Sequence, residues 1–266
     1  MSSLYQRPTD VAPAPSTITV DTGTEDSTYP KANLFDGLLH SPAKLTTTAG
    51  SWTLDYGAAQ RIDVVALAYH NIDAGVSVKL QADADNASWG APTLDATITI
   101  PGEDEDGRAS MPWLDLTGVA GYDVGGFRYW RLIVGSSTDP ISIGELGLWT
   151  PKRTLSRGVD AGFTTSDEHR EIRHETEYGV LHRYRLGVRR RRFAGRVSAS
   201  QQDLDDLRAW YREAAASDGV ALWVPDVDEN DAWWVRLPAS GPDVTSRVGD
   251  LHDVALDFLE ESGGGL

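Results

Sequence analysis

The side chains able to do chemistry here are carboxylates, six histidines and an arginine cluster, because the chain of 266 residues has no cysteine. Disulfides, thiolate metal ligands and cysteine nucleophiles are therefore excluded. The histidines are His40, His70, His169, His174, His182 and His252. Zinc hydrolases place two histidines four apart on a helix beside a glutamate. His169 and His174 are five apart in a polar stretch, so they read as solvated groups. No serine sits in a G-x-S-x-G elbow. The glycines of GVAGYDVGG, Gly118 to Gly126, have the wrong spacing for a dinucleotide loop and read as a long turn. Asp226, Asp228 and Asn230 have calcium-loop spacing, but Asp231 stands where an EF-hand needs glycine and Leu237 where it needs glutamate. With 40 acidic residues, some pair at glycosidase separation is expected by chance and counts for nothing. The expectation is a protein that is not an enzyme.

The arginines carry more information. Arg183, Arg185, Arg189, Arg190, Arg191 and Arg192 lie close together, with Arg196 beyond. Net charge is -16, which repels nucleic-acid phosphates and sets that partner aside. Residues 1–150 carry 8 basic and 19 acidic groups, against 16 and 21 in residues 151–266. Guanidinium groups make bidentate carboxylate pairs, so the cluster is expected at a subunit interface with the acidic half of a neighbouring copy. A solvated strand face is the simpler alternative. Trp89 and Trp113 lie in loop-like stretches and are the candidates for stacking on a sugar ring. Trp52, Trp130 and Trp149 read as core.

These residues need a scaffold. Residues 1–17 contain Pro13 and Pro15 and read as an extended arm, either free or lying on a neighbouring subunit. Residues 18–150 read as short strands. Val76, Val78 and Leu80 alternate, as do Ile98 and Ile100. Ile62 to Tyr69 is apolar on both faces, as in a strand covered by two layers. Pro101 to Gly107 reads as an exposed acidic loop. Residues 151–158 form a linker, and residues 159–261 a second β-rich domain. Val180, Tyr184, Leu186 and Val188 share parity in one long strand. Residues 200–216 form a helix capped by Ser200, with Asp203 three positions on and Leu204, Leu207, Tyr211 and Ala214 on one face. Residues 262–266, SGGGL, read as a flexible end. The N-terminus has no apolar core and no apolar run approaches the roughly 18 residues of a membrane span.

Five segments, NLFDG (Asn33 to Gly37), Ser51 to Tyr69, Val76 to Gly90, FRYWRLIV (Phe127 to Val134) and ISIGELGLW (Ile141 to Trp149), occur in an order that resembles the discoidin-like, galactose-binding-like β-sandwich. The resemblance implies a jelly-roll sandwich used for recognition or structure. It also implies a structural calcium held between Asp36, in the early Asp-Gly loop, and Glu145 in the last strand. The segment after Asp36-Gly37, Leu38 to Gly50, lacks the aromatic that related sugar-binding modules carry there. Arg191 to Asp226, with WWVRLP (Trp233 to Pro238) and VALDFLEE, resembles the distal and minor tail proteins of siphovirus-like tailed phages. Together the resemblances imply a mainly β structural protein of a virus tail tip or baseplate, made in the host cytoplasm and carried on the virion. Its partners would be copies of itself in a ring and neighbouring tail proteins. The alternative is a carbohydrate-binding adhesin for host-surface glycans.

Overall fold

A computed structural model describes residues 4–6, 10–87, 89–102, 111–156, 164–175, 181–217, 221–226, 231–237, 241–246 and 251–260. The strands of the first part are β1 (Leu4–Gln6), β2 (Thr17–Thr22), β3 (Ala43–Lys44), β4 (Gly50–Gln60), β5 (Val64–His70), β6 (Val78–Asp83), β7 (Leu94–Ile98), β8 (Trp113–Asp115), β9 (Phe127–Val134) and β10 (Ser142–Trp149). Then follow β11 (Arg153–Thr154), β12 (Thr164–Glu175), β13 (Leu181–Ser200), the helix α1 (Gln201–Ser217), β14 (Ala221–Asp226), β15 (Asp231–Arg236), β16 (Asp243–Ser246) and β17 (Leu251–Glu260). The chain divides into two units: residues 9–153 with 230–232, and residues 1–8 with 154–229 and 233–266.

The first unit is a β-sandwich. One sheet has the order β3-β10-β5-β8 and the other β2-β4-β9-β6-β7, with antiparallel pairing throughout. Alternation explains the packing. Trp52, Leu54, Leu80, Trp130 and Leu132 point from the five-stranded sheet into a core shared with Val65, Leu67, Ile143, Leu146 and Leu148 of the other sheet. The central strand β5 is buried from Val64 to Ala68, as its apolar run predicts. Asp63, at the start of β5, is fully buried. Burial pushes its carboxyl up, but Arg61, the Tyr122 hydroxyl and the Lys152 amide outweigh that and hold it low.

The second unit is one eight-stranded sheet with the path β11-β1-β14-β15-β17-β13-β12, and β16 paired to β17. The helix α1 buries Leu204, Leu207, Trp210, Tyr211 and Ala214 in the core of this unit. Its predicted start holds. The Asp203 amide donates to Ser200 Oγ at 3.2 Å, and the Ser200 amide donates to Asp203 Oδ2 at 3.2 Å. That reciprocal pair satisfies two helix-end donors. Trp210 sits among Tyr5, Trp223 and Phe258, with ring centroids 5.1 to 6.0 Å away.

The N-terminal arm is corrected. Leu4–Gln6 pairs with β14 of the same chain, with Leu4 opposite Val224 and Gln6 opposite Leu222. Trp210 Nε1 donates to the Gln6 carbonyl at 3.1 Å. Three residues are too short to show a period, so the pattern could not reveal this strand; its partner lies more than two hundred residues away. The expected loop at 101–107 and the flexible end at 262–266 fall largely or wholly outside the described residues.

Candidate recognition site

On the outer face of the five-stranded sheet, register sets Asp95, Gln81, Arg131, Thr53 and Thr19 in one row across β7, β6, β9, β4 and β2. This face is polar, as the alternation with Leu80, Leu132 and Trp52 requires. It is not all solvated: Ser51, Thr53 and Gln81 are only 1%, 3% and 7% exposed. Long side chains lie over them. The Arg131 guanidinium donates through a terminal nitrogen to Ser51 Oγ at 3.3 Å and has Nε 3.4 Å from Asp21 Oδ2. Thr53 Oγ1 donates to the same Asp21 oxygen at 2.5 Å.

Trp89 completes this patch. It sits on the β6–β7 connection, half-buried, with its ring centroid 5.5 Å from Arg131 Cζ. Its indole N–H donates to Asn86 Oδ1 at 2.8 Å. Asp83 ties down both ends of the connection by accepting from the amides of Asp85 at 3.3 Å and Thr93 at 2.9 Å. The sequence marked Trp89 as a sugar-stacking candidate; it did not show that Arg131, forty-two positions on, would lie against it.

Trp113 does not join it. The residue is 5% exposed and pairs in β8 with Ala66 of β5. The expected loop platform is therefore a buried strand residue. The register sets the indole beside the central strand with Nε1 buried and without a hydrogen-bond partner, and the local sequence, Pro112 preceded by an acidic stretch, does not signal that.

Asp36 and Glu145 do come together. Glu145 Oε2 accepts from the Gly37 amide at 3.1 Å, and Asp36 Oδ1 accepts from the Leu38 amide at 2.8 Å. Gly37 has φ 72°, the left-handed turn that lets its N–H face β10. Burial pushes the Glu145 carboxyl up to about 8, against the Gly37 hydrogen bond and with help from the Asp36 charge. Two carboxylates supply part of the six to eight oxygens that calcium takes. No cluster of three or more His, Cys, Asp or Glu side chains suited to a metal occurs among the described residues.

The arginine cluster lies on β13. The side chains of Arg183, Arg185 and Arg189 fall outside the described residues. Arg192 makes its bidentate pair within its own chain, Nε to Asp257 Oδ1 at 2.8 Å and a terminal nitrogen to Asp257 Oδ2 at 2.5 Å. Arg191 stacks on Trp233 with Cζ 4.3 Å from the ring centroid. Arg190 is half-buried and opposite Glu168 in the register. The carboxylate expected from a neighbouring copy is thus, for Arg192, an internal one.

No family model matches the chain, and no curated protein matches it. Solved structures do match about half of it. A family 32 carbohydrate-binding module of AlyQ, in complex with 4,5-unsaturated mannuronic acid, is 19% identical and aligns over 53% of this chain and 98% of its own, with a TM-score of 0.37. The lectin domain of Lectinolysin, complexed with Lewis B antigen, is 12% identical over 51% of this chain and 92% of its own, with a TM-score of 0.37. The family 32 module of NanJ from C. perfringens, in complex with galactose, is 13% identical over 52% of this chain and 98% of its own, also at 0.37. At these scores the matches carry no functional argument, and the mainly β sandwich architecture rests on the strand pairing itself.

Proposed function

We propose that the chain is a binding protein without catalytic turnover, and that its sandwich recognises glycans. One observation carries this reading: a half-exposed indole, Trp89, set against Arg131 at the edge of a polar sheet face formed by Ser51, Thr53, Gln81 and Asp21. Saccharides present an apolar C–H face for an aromatic ring and hydroxyls for polar neighbours. A glycan array probed with the full chain tests this. Binding that disappears in Trp89→Ala and persists in Trp113→Ala supports it; retention of all binding in Trp89→Ala overturns this placement.

A second reading concerns the other unit. Among the described residues, strand β13 pairs with β17 over Arg192–Ser200, whereas its pairing with β12 spans Leu181 to Ala194. The stretch Leu181–Arg191 and its β12 partner therefore form a ribbon of two described strands, on the order of 35 Å long. Two-stranded ribbons are marginally stable alone, and open edges pair readily with another chain. This supports the tail-type assembly implied by the sequence resemblance, with copies of the chain or neighbouring tail proteins as partners. Light scattering on the parent and on a variant lacking residues 167–190 checks it. A parent that is monomeric at all concentrations and absent from virions removes the reading. A calcium ion at Asp36 and Glu145 belongs to the same set of proposals.

A further inference from the structure

The polar face beneath Trp89 contains two atoms that its own network leaves over. Gln81 Oε1 and Arg131 Nε are both buried and both lack a hydrogen-bond partner. The two residues are directly opposite each other in the register of β6 and β9. Buried polar atoms are nearly always paired, because stripping water from one without replacement is costly. Here an unused acceptor and an unused donor belong to facing residues of neighbouring strands. The rest of the network is accounted for. Arg131 reaches Ser51 through a terminal nitrogen, its Nε lies 3.4 Å from Asp21 without forming a hydrogen bond, and Thr53 donates to Asp21.

We propose that this pair is the specificity subsite for a neutral saccharide, a refinement that rests on the glycan reading of the sandwich. One ligand hydroxyl suits both atoms: its O–H donates to Gln81 Oε1 while its oxygen accepts from Arg131 Nε. The ring's C–H face then lies on the Trp89 indole. The ligand is neutral because Asp21 already balances the Arg131 charge, and an added carboxylate would face Asp21 across a short distance. Gln81 Oε1 and Arg131 Nε are buried, so entry requires the Trp89 side chain, which lies against Arg131, to turn aside. The indole is held by its hydrogen bond to Asn86. Trp89 is thus both the cover of the subsite and the platform for its ligand.

The experiment is a titration of the full chain with neutral hexoses and their uronic acids, read by calorimetry and tryptophan fluorescence, on the parent and on Gln81→Leu and Gln81→Met. The proposal expects saturable binding of a neutral sugar and at least tenfold weaker binding of its uronate. It expects at least a tenfold loss in both variants, with melting temperatures equal to or above the parent's, since an unpaired buried amide is removed. If a sugar binds and both folded variants bind it unchanged, the subsite is overturned while the glycan reading stands. Stronger binding of the uronate overturns the charge argument and with it the proposal. If no saccharide binds at any concentration, the glycan reading falls and the subsite with it.

Discussion

The two units are stabilised in different ways. The sandwich draws its core from many inward-facing residues spread over the strands of two sheets, and its tight places are turns. The second unit draws its core from a cluster of large rings around α1, and it takes in a strand from the opposite end of the chain. Trp210 touches Tyr5, Trp223 and Phe258, and donates to the Gln6 carbonyl. A unit that depends on a few large residues is expected to fail at those residues. One that depends on many alternating positions is expected to fail at its turns.

Four changes probe that contrast, in order of expected size. Trp210→Ala removes a fully buried ring and leaves the Gln6 carbonyl without its donor, and should cost about 3–5 kcal/mol. Hydrogen exchange should show lost protection in β13, β14 and β17 while β4 and β9 keep theirs; uniform loss across both units would defeat the contrast. Gly121→Ala is the matching lesion in the sandwich. Gly121 has φ 84°, and a Cβ there would lie 1.9 Å from the Thr93 carbonyl oxygen. The cost should be about 1–3 kcal/mol or more, read by denaturant midpoint, with lost protection confined to β6, β7 and their neighbours.

The third change concerns pH. Glu145 has its carboxyl raised from 4.5 to about 8 in the folded chain. Between these values the unfolded state loses the proton that the folded state keeps. Stability should therefore fall as pH rises from about 4.5 to 8 and level off above. Glu145→Gln keeps an acceptor for the Gly37 amide and should flatten this slope, raising the melting temperature at pH 8 by a few degrees, on the order of 1–2 kcal/mol. An unchanged slope would show that the carboxyl titrates normally. If calcium binds at Asp36 and Glu145, millimolar calcium at pH 8 should raise the parent's melting temperature and leave that of Glu145→Gln unmoved. The smallest change is Ser200→Ala, which removes the helix cap of α1 and should cost about 1 kcal/mol in the second unit alone; no shift in its melting would mean that Asp203 caps the helix by itself.

Much of this was readable in advance. Alternation at Val78 and Leu80 and the apolar run at Ile62 to Tyr69 reported strands because side-chain direction follows backbone period. Ser200 and Asp203 reported a helix start because the cap is a local exchange of hydrogen bonds. The same locality explains what was missed. Leu4–Gln6 is too short to carry a period, and its partner β14 is remote. Trp113 follows an acidic stretch of sequence, and nothing nearby signals that it pairs with β5. Asp257 waits for Arg192 sixty-five positions away.

Residue types, periods and caps, which act over a few neighbours, determined by sequence alone that the chain is mainly β and that it lacks thiol chemistry, while the pairing of Asp36 with Glu145 came from the resemblance. The tertiary structure decided which indole stays near the surface, which arginine finds its acid at home, and that Gln81 faces Arg131 beneath Trp89. Those outcomes depend on register between strands far apart in the chain, and register is set by the packing of a whole face rather than by any local run of residues.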